Sequence, residues 1–140
     1  MAALTGGCAC GSVRFRITSP PYDAGWCHCR TCQLNSGSPA MAFATVPATD
    51  YQVEQGKELI GRFASSDFGH REFCTRCGTP LLMRDHTVPD AIEFSIATLD
   101  EPDAVRPGFH IFYESRIGWA EAGDDLPVYA RSRRGAEPIA

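Results

Sequence analysis

The chain has 140 residues, a length that suits one domain with a substantial apolar core. Thirteen basic and 17 acidic residues give a formal net charge of −4, which argues against a general nucleic-acid binder. The N-terminus shows no export signal, and no stretch approaches the ~20 apolar residues that span a bilayer. We therefore expect a cytoplasmic protein without a membrane segment, in a compartment that keeps thiols reduced.

Short alternations of apolar and polar residues, punctuated by 13 Gly and 10 Pro, predict an all-β fold. In chain order, the predicted strands cover residues 13–17, 41–46, 59–63, 70–73, 79–84, 92–96 and 110–115. One or two helical turns are expected after Cys29, ending at Gly37. No internal linker divides the chain, so we predict one domain over residues 6–130 and a frayed tail over 131–140.

Seven cysteines fall into three tight clusters, at positions 8–10, 27–32 and 74–77. Thiolates two or three residues apart can converge on one ion, and an odd number of cysteines favours metal binding over disulfides. Zinc takes four tetrahedral sulfur or nitrogen ligands in structural sites, whereas a catalytic zinc keeps one position open. Seven thiolates therefore suggest one closed four-thiolate site and one open three-thiolate site.

Two of the clusters share a plan, because Gly11 follows Cys10 and Gly78 follows Cys77, each before a predicted strand. A sharp turn after the second thiolate suits Gly, which accepts a positive φ without steric cost. This repeated motif favours a structural site on Cys8, Cys10, Cys74 and Cys77, with a separate three-thiolate site on Cys27, Cys29 and Cys32. Spacing alone leaves two alternatives: the triplet shares ligands with the last pair, or a histidine or carboxylate closes it as a second structural site.

The order C-x-C-G, then C-H-C-x-x-C, then F-C-x-x-C-G-T-x-L resembles the GFA family, the glutathione-dependent formaldehyde-activating enzymes. The segment from His110 through Trp119 to Pro127 is similar to the C-terminal signature of that family. The resemblance implies a small, mainly β domain of the β-tent type, derived from a zinc ribbon. It also implies two zinc ions, a structural one on Cys8, Cys10, Cys74 and Cys77 and a catalytic one on Cys27, Cys29 and Cys32.

The activity implied by this resemblance is the condensation of formaldehyde with glutathione to S-(hydroxymethyl)glutathione, a carbon–sulfur lyase reaction when run backwards. The implied partners are thus a small-molecule thiol and an aldehyde. Two other readings stay open: a non-catalytic, zinc-stabilised binding module, and a zinc enzyme acting on another small electrophile without glutathione. Pairing of exposed strand edges would give a homodimer, although nothing in the sequence specifies one.

Residues outside the cysteines are weaker candidates for substrate contacts. Arginine forks suit the carboxylates of glutathione, and the nearest arginines to the clusters are Arg30, Arg71 and Arg76. His28, between two predicted ligands, would hydrogen-bond a sulfur or move a proton, and His110 is a second candidate acid or base. Asp124 and Asp125 are expected to cap a turn, and four aromatic residues are candidates to line a pocket: Phe68, Phe109, Phe112 and Trp119.

Overall fold

The computed structural model describes residues 2–140, which form ten strands, one α-helix and several short 3-10 turns. The strands are β1 Leu4–Gly7, β2 Arg14–Ile17, β3 Tyr22–Cys27, β4 Met41–Pro47, β5 Tyr51–Gln55, β6 Ile60–Ser66, β7 Gly69–Cys74, β8 Pro80–Asp85, β9 Ala91–Ser95 and β10 His110–Ile111. The helix, α1, runs from Arg30 to Ser36. The mainly β fold expected from the sequence is therefore confirmed.

The strands form two sheets. Strands β1, β2 and β5 make a three-stranded antiparallel sheet in the order β1-β2-β5. The other seven strands lie in the order β10-β3-β4-β9-β8-β7-β6. All neighbours in this larger sheet are antiparallel, apart from the parallel pair of β10 and β3.

The core lies between the two sheets and follows the period of two that marks a strand. In β2, Phe15 and Ile17 are buried, whereas Arg16 between them is exposed. The Phe15 ring stacks on Tyr51, with 4.5 Å between centroids, and Tyr51 lies 6.2 Å from Phe94 of the larger sheet. These aromatic contacts join β2, β5 and β9 into one apolar cluster.

The same period separates the two faces of the larger sheet. Ala44 and Val46 of β4, with Ile92 and Phe94 of β9, belong to the core. Because side chains alternate across a strand, the residues between them face away from the core. This second face carries Phe43, Thr45, Glu93 and Ser95, which are paired across the two strands as Phe43 with Ser95 and Thr45 with Glu93.

A buried carboxylate, Glu72 of β7, is held by two neighbouring side chains. Arg84 Nε donates to its Oε2 at 2.7 Å, and His70 Nε2 lies 2.9 Å from the same oxygen. Burial raises the pKa of Glu72, but the hydrogen bonds from Arg84 and His70 outweigh it, so the net pKa lies below its ordinary value. Ionised Glu72 is thus part of the stable fold.

Several element predictions hold and one is wrong. The helix after Cys29 is confirmed, and it ends where Gly37 takes the left-handed conformation, with φ of 69°. The strand expected over 110–115 stops at Ile111, because Phe112 is left-handed, with φ of 54°, and the chain turns away. Strands β1, β3 and β5 were not expected, since their sequences are short or interrupted by Gly and Asp.

The segment 131–140 contains neither helix nor strand, but it contacts the rest of the chain. Ile139 donates its backbone N–H to the Val128 carbonyl at 2.7 Å, and the Arg133 guanidinium lies 4.2 Å from the centre of the Phe109 ring. The domain boundary at residue 130 stays a prediction. None of the helices within residues 2–140 has the length and apolar character needed to cross a bilayer.

Candidate metal centres

The fold brings the seven cysteines into two groups, and all seven are free thiols. Within each group the sulfur atoms lie within 4.8 Å of one another. The groups are Cys8, Cys10, Cys74 and Cys77, and separately Cys27, Cys29 and Cys32. This is the grouping favoured by the sequence, and the triplet does not share ligands with the last pair. The metal bound and the role of each group stay predictions.

The four-cysteine group is built from two matching turns. Gly11 and Gly78 both have positive φ, 76° and 81°, as the sequence predicted. The first turn is closed by a bond from Gly11 N–H to the Cys8 carbonyl, and the second by one from Gly78 N–H to the Cys74 carbonyl. Each turn presents two sulfurs toward the other, which ties the N-terminal segment to the end of β7.

The sulfur spacing in this group fits a tetrahedral zinc ion. Cys8 Sγ lies 3.5 Å from Cys10 Sγ, which lies 3.9 Å from Cys74 Sγ. Zn–S bonds of about 2.3 Å in a tetrahedron place the sulfurs about 3.8 Å apart. Val13 N–H donates to Cys8 Sγ at 3.2 Å, and hydrogen bonds with Thr79 lower the pKa of Cys77 to about 5, whereas burial raises the pKa of Cys74 to about 11. The donor set therefore fits a closed structural zinc site.

The triplet is positioned by the end of β3 and the first turn of α1. Cys27 is the last residue of β3, and Cys29 is the N-cap of α1, where its sulfur accepts a bond from Cys32 N–H at 3.3 Å. Gln33 fixes the intervening peptide, because its amide donates to the His28 carbonyl at 2.8 Å. The end of β3 and the start of α1 therefore bring the three sulfur atoms close together.

No fourth histidine, cysteine or carboxylate ligand of residues 2–140 joins the triplet within 4.8 Å. The sequence left open a closing ligand from His28, His70, His86 or His110, and the structure brings none of them to the three sulfurs. Three thiolate donors with one position left over is the arrangement typical of a catalytic zinc. The donor set of the triplet therefore fits a metal that keeps a position for another ligand.

The three thiols are too close together to ionise independently. Hydrogen bonds from Cys27 and Cys32 lower the pKa of Cys29, whereas the bond to Cys29 raises the pKa of Cys27. Ionisation of one sulfur therefore opposes ionisation of its neighbours. A bound cation removes this conflict, because a metal deprotonates its thiol ligands outright.

A buried arginine beside the triplet also favours negatively charged sulfur atoms there. Arg71 is 5% exposed, and none of the carboxylates in residues 2–140 forms an ion pair with it. Its Nη2 donates to Cys32 Sγ at 3.4 Å and its Nη1 donates to Met41 Sδ at 3.8 Å. A buried charge is costly unless it is paired, so the thiolates of the triplet are its natural counter-charge.

The triplet opens into a cavity of about 480 Å³ on the second face of the larger sheet. This volume lies in the usual range for small-molecule sites. Glu93 and Phe112 both belong to the wall of this cavity. Burial raises the pKa of the Glu93 carboxyl above its ordinary value. Phe112, which takes the left-handed conformation, directly follows the last residue of β10. Of the aromatic candidates, Phe68 and Phe112 line this cavity, Phe109 lines neighbouring depressions, and Trp119 is 76% exposed.

Two buried polar atoms in the cavity wall have no hydrogen-bond partner among residues 2–140. They are Arg71 Nε and Ser95 Oγ. Leaving a buried donor unpaired costs about 1–3 kcal/mol, and four buried polar atoms away from this cavity are unpaired in the same way among residues 2–140, those of Ser19, His28, Tyr51 and Arg116. The sequence did not single out Ser95 or Glu93, because alternate polar residues in a strand look the same whether they face water or a cavity.

His28 does not contact the sulfurs but begins a chain of hydrogen bonds behind the triplet. Its Nε2 lies 2.9 Å from His110 Nδ1, and His110 Nε2 lies 3.0 Å from Asp124 Oδ1. A carboxylate only accepts, so His110 donates from Nε2 and accepts a bond from His28 at Nδ1. Asp124 also accepts from Leu126 N–H at 3.2 Å, as expected of a turn cap. This chain fixes the loop between Cys27 and Cys29.

The other two candidate arginines lie away from the cavity wall. Arg30 is exposed, and its Nη1 donates to the Gln33 side chain at 3.0 Å. Arg76 is exposed beside the four-cysteine group, where it donates to Ser12 Oγ at 3.2 Å. Among the arginines proposed from the sequence, Arg71 is thus the one that lines the cavity beside the triplet.

The model of the family described as "Glutathione-dependent formaldehyde-activating enzyme" matches residues 3–115 and thus includes both cysteine groups. The chain belongs to the GFA family. A Halomonas elongata protein named as a glutathione-dependent formaldehyde-activating enzyme is 31% identical over 126 residues, 84% of this chain and 80% of that protein. An uncharacterized lyase of Schizosaccharomyces pombe is 35% identical over 81 residues, 58% of this chain and 57% of its own.

A solved structure shares the fold of this GFA protein. The crystal structure of a Rhodobacter sphaeroides protein superposes with a TM-score of 0.59 at 23% sequence identity. The match covers 74% of this chain and 91% of the other. At this identity the likeness shows a common fold. An activity for this chain therefore has to be argued from its family membership and from the lack of a fourth ligand among residues 2–140 at the triplet.

Proposed function

We propose that this GFA protein is a zinc-dependent enzyme of the carbon–sulfur lyase type that joins the thiol of glutathione to formaldehyde, giving S-(hydroxymethyl)glutathione. One observation carries the proposal: three convergent cysteines, without a fourth ligand from residues 2–140, face a cavity of about 480 Å³. The family name and the naming of a relative as a lyase support the same reaction class.

The two cysteine groups would have different roles. The four-cysteine group closes around its ion with protein ligands alone, so it would hold a structural zinc that ties the chain together. Cys27, Cys29 and Cys32 would hold the catalytic zinc, which supplies a positive centre for a thiolate or an aldehyde oxygen. The protein would therefore bind two zinc ions.

The chain itself supplies charge and orientation around the reacting groups. Arg71, 3.4 Å from Cys32 Sγ, offsets the negative charge of the three thiolates, which favours the approach of an anionic sulfur. The His28–His110–Asp124 chain holds the loop that carries two of the ligands. The cavity walls hold thiol and aldehyde together, which replaces a bimolecular encounter by a local one.

The proposal is tested by exchange spectroscopy on formaldehyde and glutathione, because the uncatalysed adduct forms in water. We expect the zinc-loaded protein to raise the exchange rate between free glutathione and the adduct above the rate without protein. The Cys29→Ser variant, with its four-cysteine group intact, should return the rate to the spontaneous value. An exchange rate that wild-type protein does not change would refute the named activity, and equal acceleration by the variant would refute the site.

A further inference from the structure

We propose that the Glu93 carboxylate binds the ammonium group of the thiol substrate, so that the cavity selects thiols that carry a cationic group at the end remote from the sulfur. The inference rests on the proposed function, and it names the feature of glutathione that this chain recognises. Glu93 lies in the wall of the cavity of about 480 Å³ that opens from the cysteine triplet. Its surroundings, its position and its distance from the triplet all support this role.

The Glu93 carboxyl has no charged partner within residues 2–140. None of the ion pairs in this part of the chain includes it, and no hydrogen bond contributes to its pKa. Glu93 is half-buried, and its oxygens are not among the polar atoms that are both unpaired and closed to solvent, so a ligand in the cavity can reach them. The other carboxylate of the wall, Asp85, differs because the Thr87 hydroxyl donates to its Oδ1 at 2.6 Å.

Strand pairing places Glu93 on the cavity face of the larger sheet but away from the triplet. The strands involved are neighbours in the order β3-β4-β9. Cys27 of β3 is opposite Met41 of β4, whereas Glu93 of β9 is opposite Thr45, four residues further along β4. An even number of residues keeps the side chains on one face. Two strand spacings and four residues correspond to about 16 Å between the Cα atoms of Cys27 and Glu93.

A smaller depression of about 220 Å³ gives the same placement. It shares Glu93, Phe43 and Arg134 with the cavity, but none of the seven cysteines lines it. Glu93 therefore lies at the end of the cavity that is remote from the triplet. A general base has to come within hydrogen-bond distance of the proton that it takes, and a sulfur bound at the triplet is farther away than that. The position of Glu93 thus suits recognition of the substrate rather than proton transfer at the sulfur.

The separation fits a ligand that has a sulfur at one end and a charge at the other. In glutathione, the sulfur and the ammonium nitrogen are joined by roughly eight covalent bonds, about 10 Å when extended. The zinc-bound sulfur would lie about 4 Å into the cavity from the cysteine sulfurs, and an ammonium–carboxylate hydrogen bond spans about 3 Å. A glutathione molecule with its sulfur at the triplet is therefore long enough to place its ammonium group against Glu93.

The electrostatics around Glu93 favours a cationic ligand group. Burial raises the pKa of the Glu93 carboxyl and prevails over its charged neighbours. Among these neighbours, Arg71 and Arg134 lower the pKa, whereas Asp85 and Asp23 raise it. An ammonium group offers three hydrogen-bond donors and a positive charge, so it offsets the cost of holding a carboxylate ion in the cavity wall. A thiol without a cationic group provides no such compensation.

A matched pair of ligands tests the contact. Glutaryl-cysteinylglycine differs from glutathione only by a hydrogen atom in place of the ammonium group. With zinc-loaded wild-type protein and no formaldehyde, we expect calorimetry to give a Kd for glutathione at least about tenfold lower than that for the analogue. Glu93→Gln keeps the shape of the side chain and removes its charge, so its Kd values for the two compounds should agree within about threefold.

Asp85→Asn is the control variant, because it removes a carboxylate of the same cavity wall that Thr87 already holds. It should keep the preference for glutathione within about threefold of the wild-type value. Equal binding of both compounds by wild type, or an undiminished preference in Glu93→Gln, would overturn the inference. A loss in Asp85→Asn as large as that in Glu93→Gln would overturn it as well, since the overall charge of the cavity would then explain the preference. Zinc content and thermal unfolding, measured on the same samples, establish that each variant is loaded and folded.

A titration of the wild-type protein tests the same contact without any variant. In protein labelled with ¹³C, the pKa of the Glu93 carboxyl should be lower with saturating glutathione than with saturating analogue, because a neighbouring ammonium favours the ionised form. Equal pKa values in the two complexes would contradict the contact. Neither measurement involves formaldehyde or a rate. A protein that prefers glutathione through Glu93 without accelerating adduct formation would refute the proposed activity alone, and one that accelerates it without this preference would refute the inference alone.

Discussion

Replacing Arg71 by Gln should weaken the binding of a fourth, anionic ligand at the triplet. The three thiolates and a zinc ion together carry a charge near −1, and Arg71 brings the site close to neutral. Arg71 Nη2 lies 3.4 Å from Cys32 Sγ, so a thiolate on the far side of the ion would be about 7 Å from the guanidinium. At an effective dielectric constant of about 20, this separation corresponds to about 2.4 kcal/mol, or roughly 50-fold in affinity.

The assay is a calorimetric titration of zinc-loaded protein with glutathione at constant pH and ionic strength. Arg71→Lys keeps the charge and should retain most of the affinity. Arg30→Gln removes an exposed arginine of the triplet segment and should leave the affinity unchanged, since exposed charges are screened by solvent. The metal content of each variant, measured on the same samples, distinguishes loss of the ligand from loss of the ion.

The electrostatic reasoning would be refuted if Arg71→Gln, loaded with the wild-type amount of zinc, bound glutathione as tightly as wild type. A parallel loss of affinity in Arg30→Gln would also contradict it, because a contribution from general surface charge would then explain both results. Equal loss in Arg71→Lys and Arg71→Gln would point to the shape of the arginine side chain rather than its charge.

Two further predictions concern the scaffold. Because the pKa of Glu72 is below its ordinary value of 4.5, its ionisation stabilises the fold above that pH and the contribution is lost as pH falls through the lowered pKa. In urea unfolding, the stability difference between wild type and Glu72→Gln should therefore be largest near neutrality and shrink in acid, whereas Glu54→Gln, at an exposed ion pair, should show little such dependence. Gly37→Ala should cost about 1 kcal/mol, since its φ is 69° but the space around it is open. Gly56→Ala, with φ of 81° and the Ser12 carbonyl where its Cβ would lie, should cost about 1–3 kcal/mol more, and equal losses in thermal unfolding would contradict the close contact.

The sequence predicted the cysteine turns well, because their geometry depends on local features. A thiolate pair followed by Gly requires a positive φ at one position, and Gly11 and Gly78 both provide it. The helix after Cys29 is equally local, since the Cys29 sulfur caps it and Gly37 ends it. Such features are encoded within a few neighbouring residues and need no knowledge of the tertiary fold.

The cavity could not be predicted in the same way, because it is assembled from distant strands. Arg71 and Cys32 are 39 residues apart and meet only when β7 lies four strands from β3 in the larger sheet. Ser95 resembles any polar residue on the outer side of a strand until the neighbouring segments cover it. The wrong strand prediction after Ile111 has a related cause, since apolar alternation continues there although Phe112 takes a left-handed conformation.

Family membership and site geometry support each other without giving the same information. The family match over residues 3–115 accounts for the order of the cysteine motifs. The structure adds that the triplet lacks a fourth ligand within residues 2–140, and that the buried Arg71 beside it forms no ion pair with a carboxylate of those residues. Together they support the proposal that the triplet binds a metal with room for a further ligand.

The central claim, that the triplet is an open metal site separate from a structural one, is tested most directly by metal content in a Cys29→Ser variant. Serine is a good N-cap, so the substitution preserves the start of α1 while removing one thiolate. Mass spectrometry of the elements should give two zinc ions per wild-type chain and one per variant chain, with thermal unfolding of the variant near that of wild type. A variant that unfolds, or that loses both ions, would show that the triplet is structural and would contradict the account.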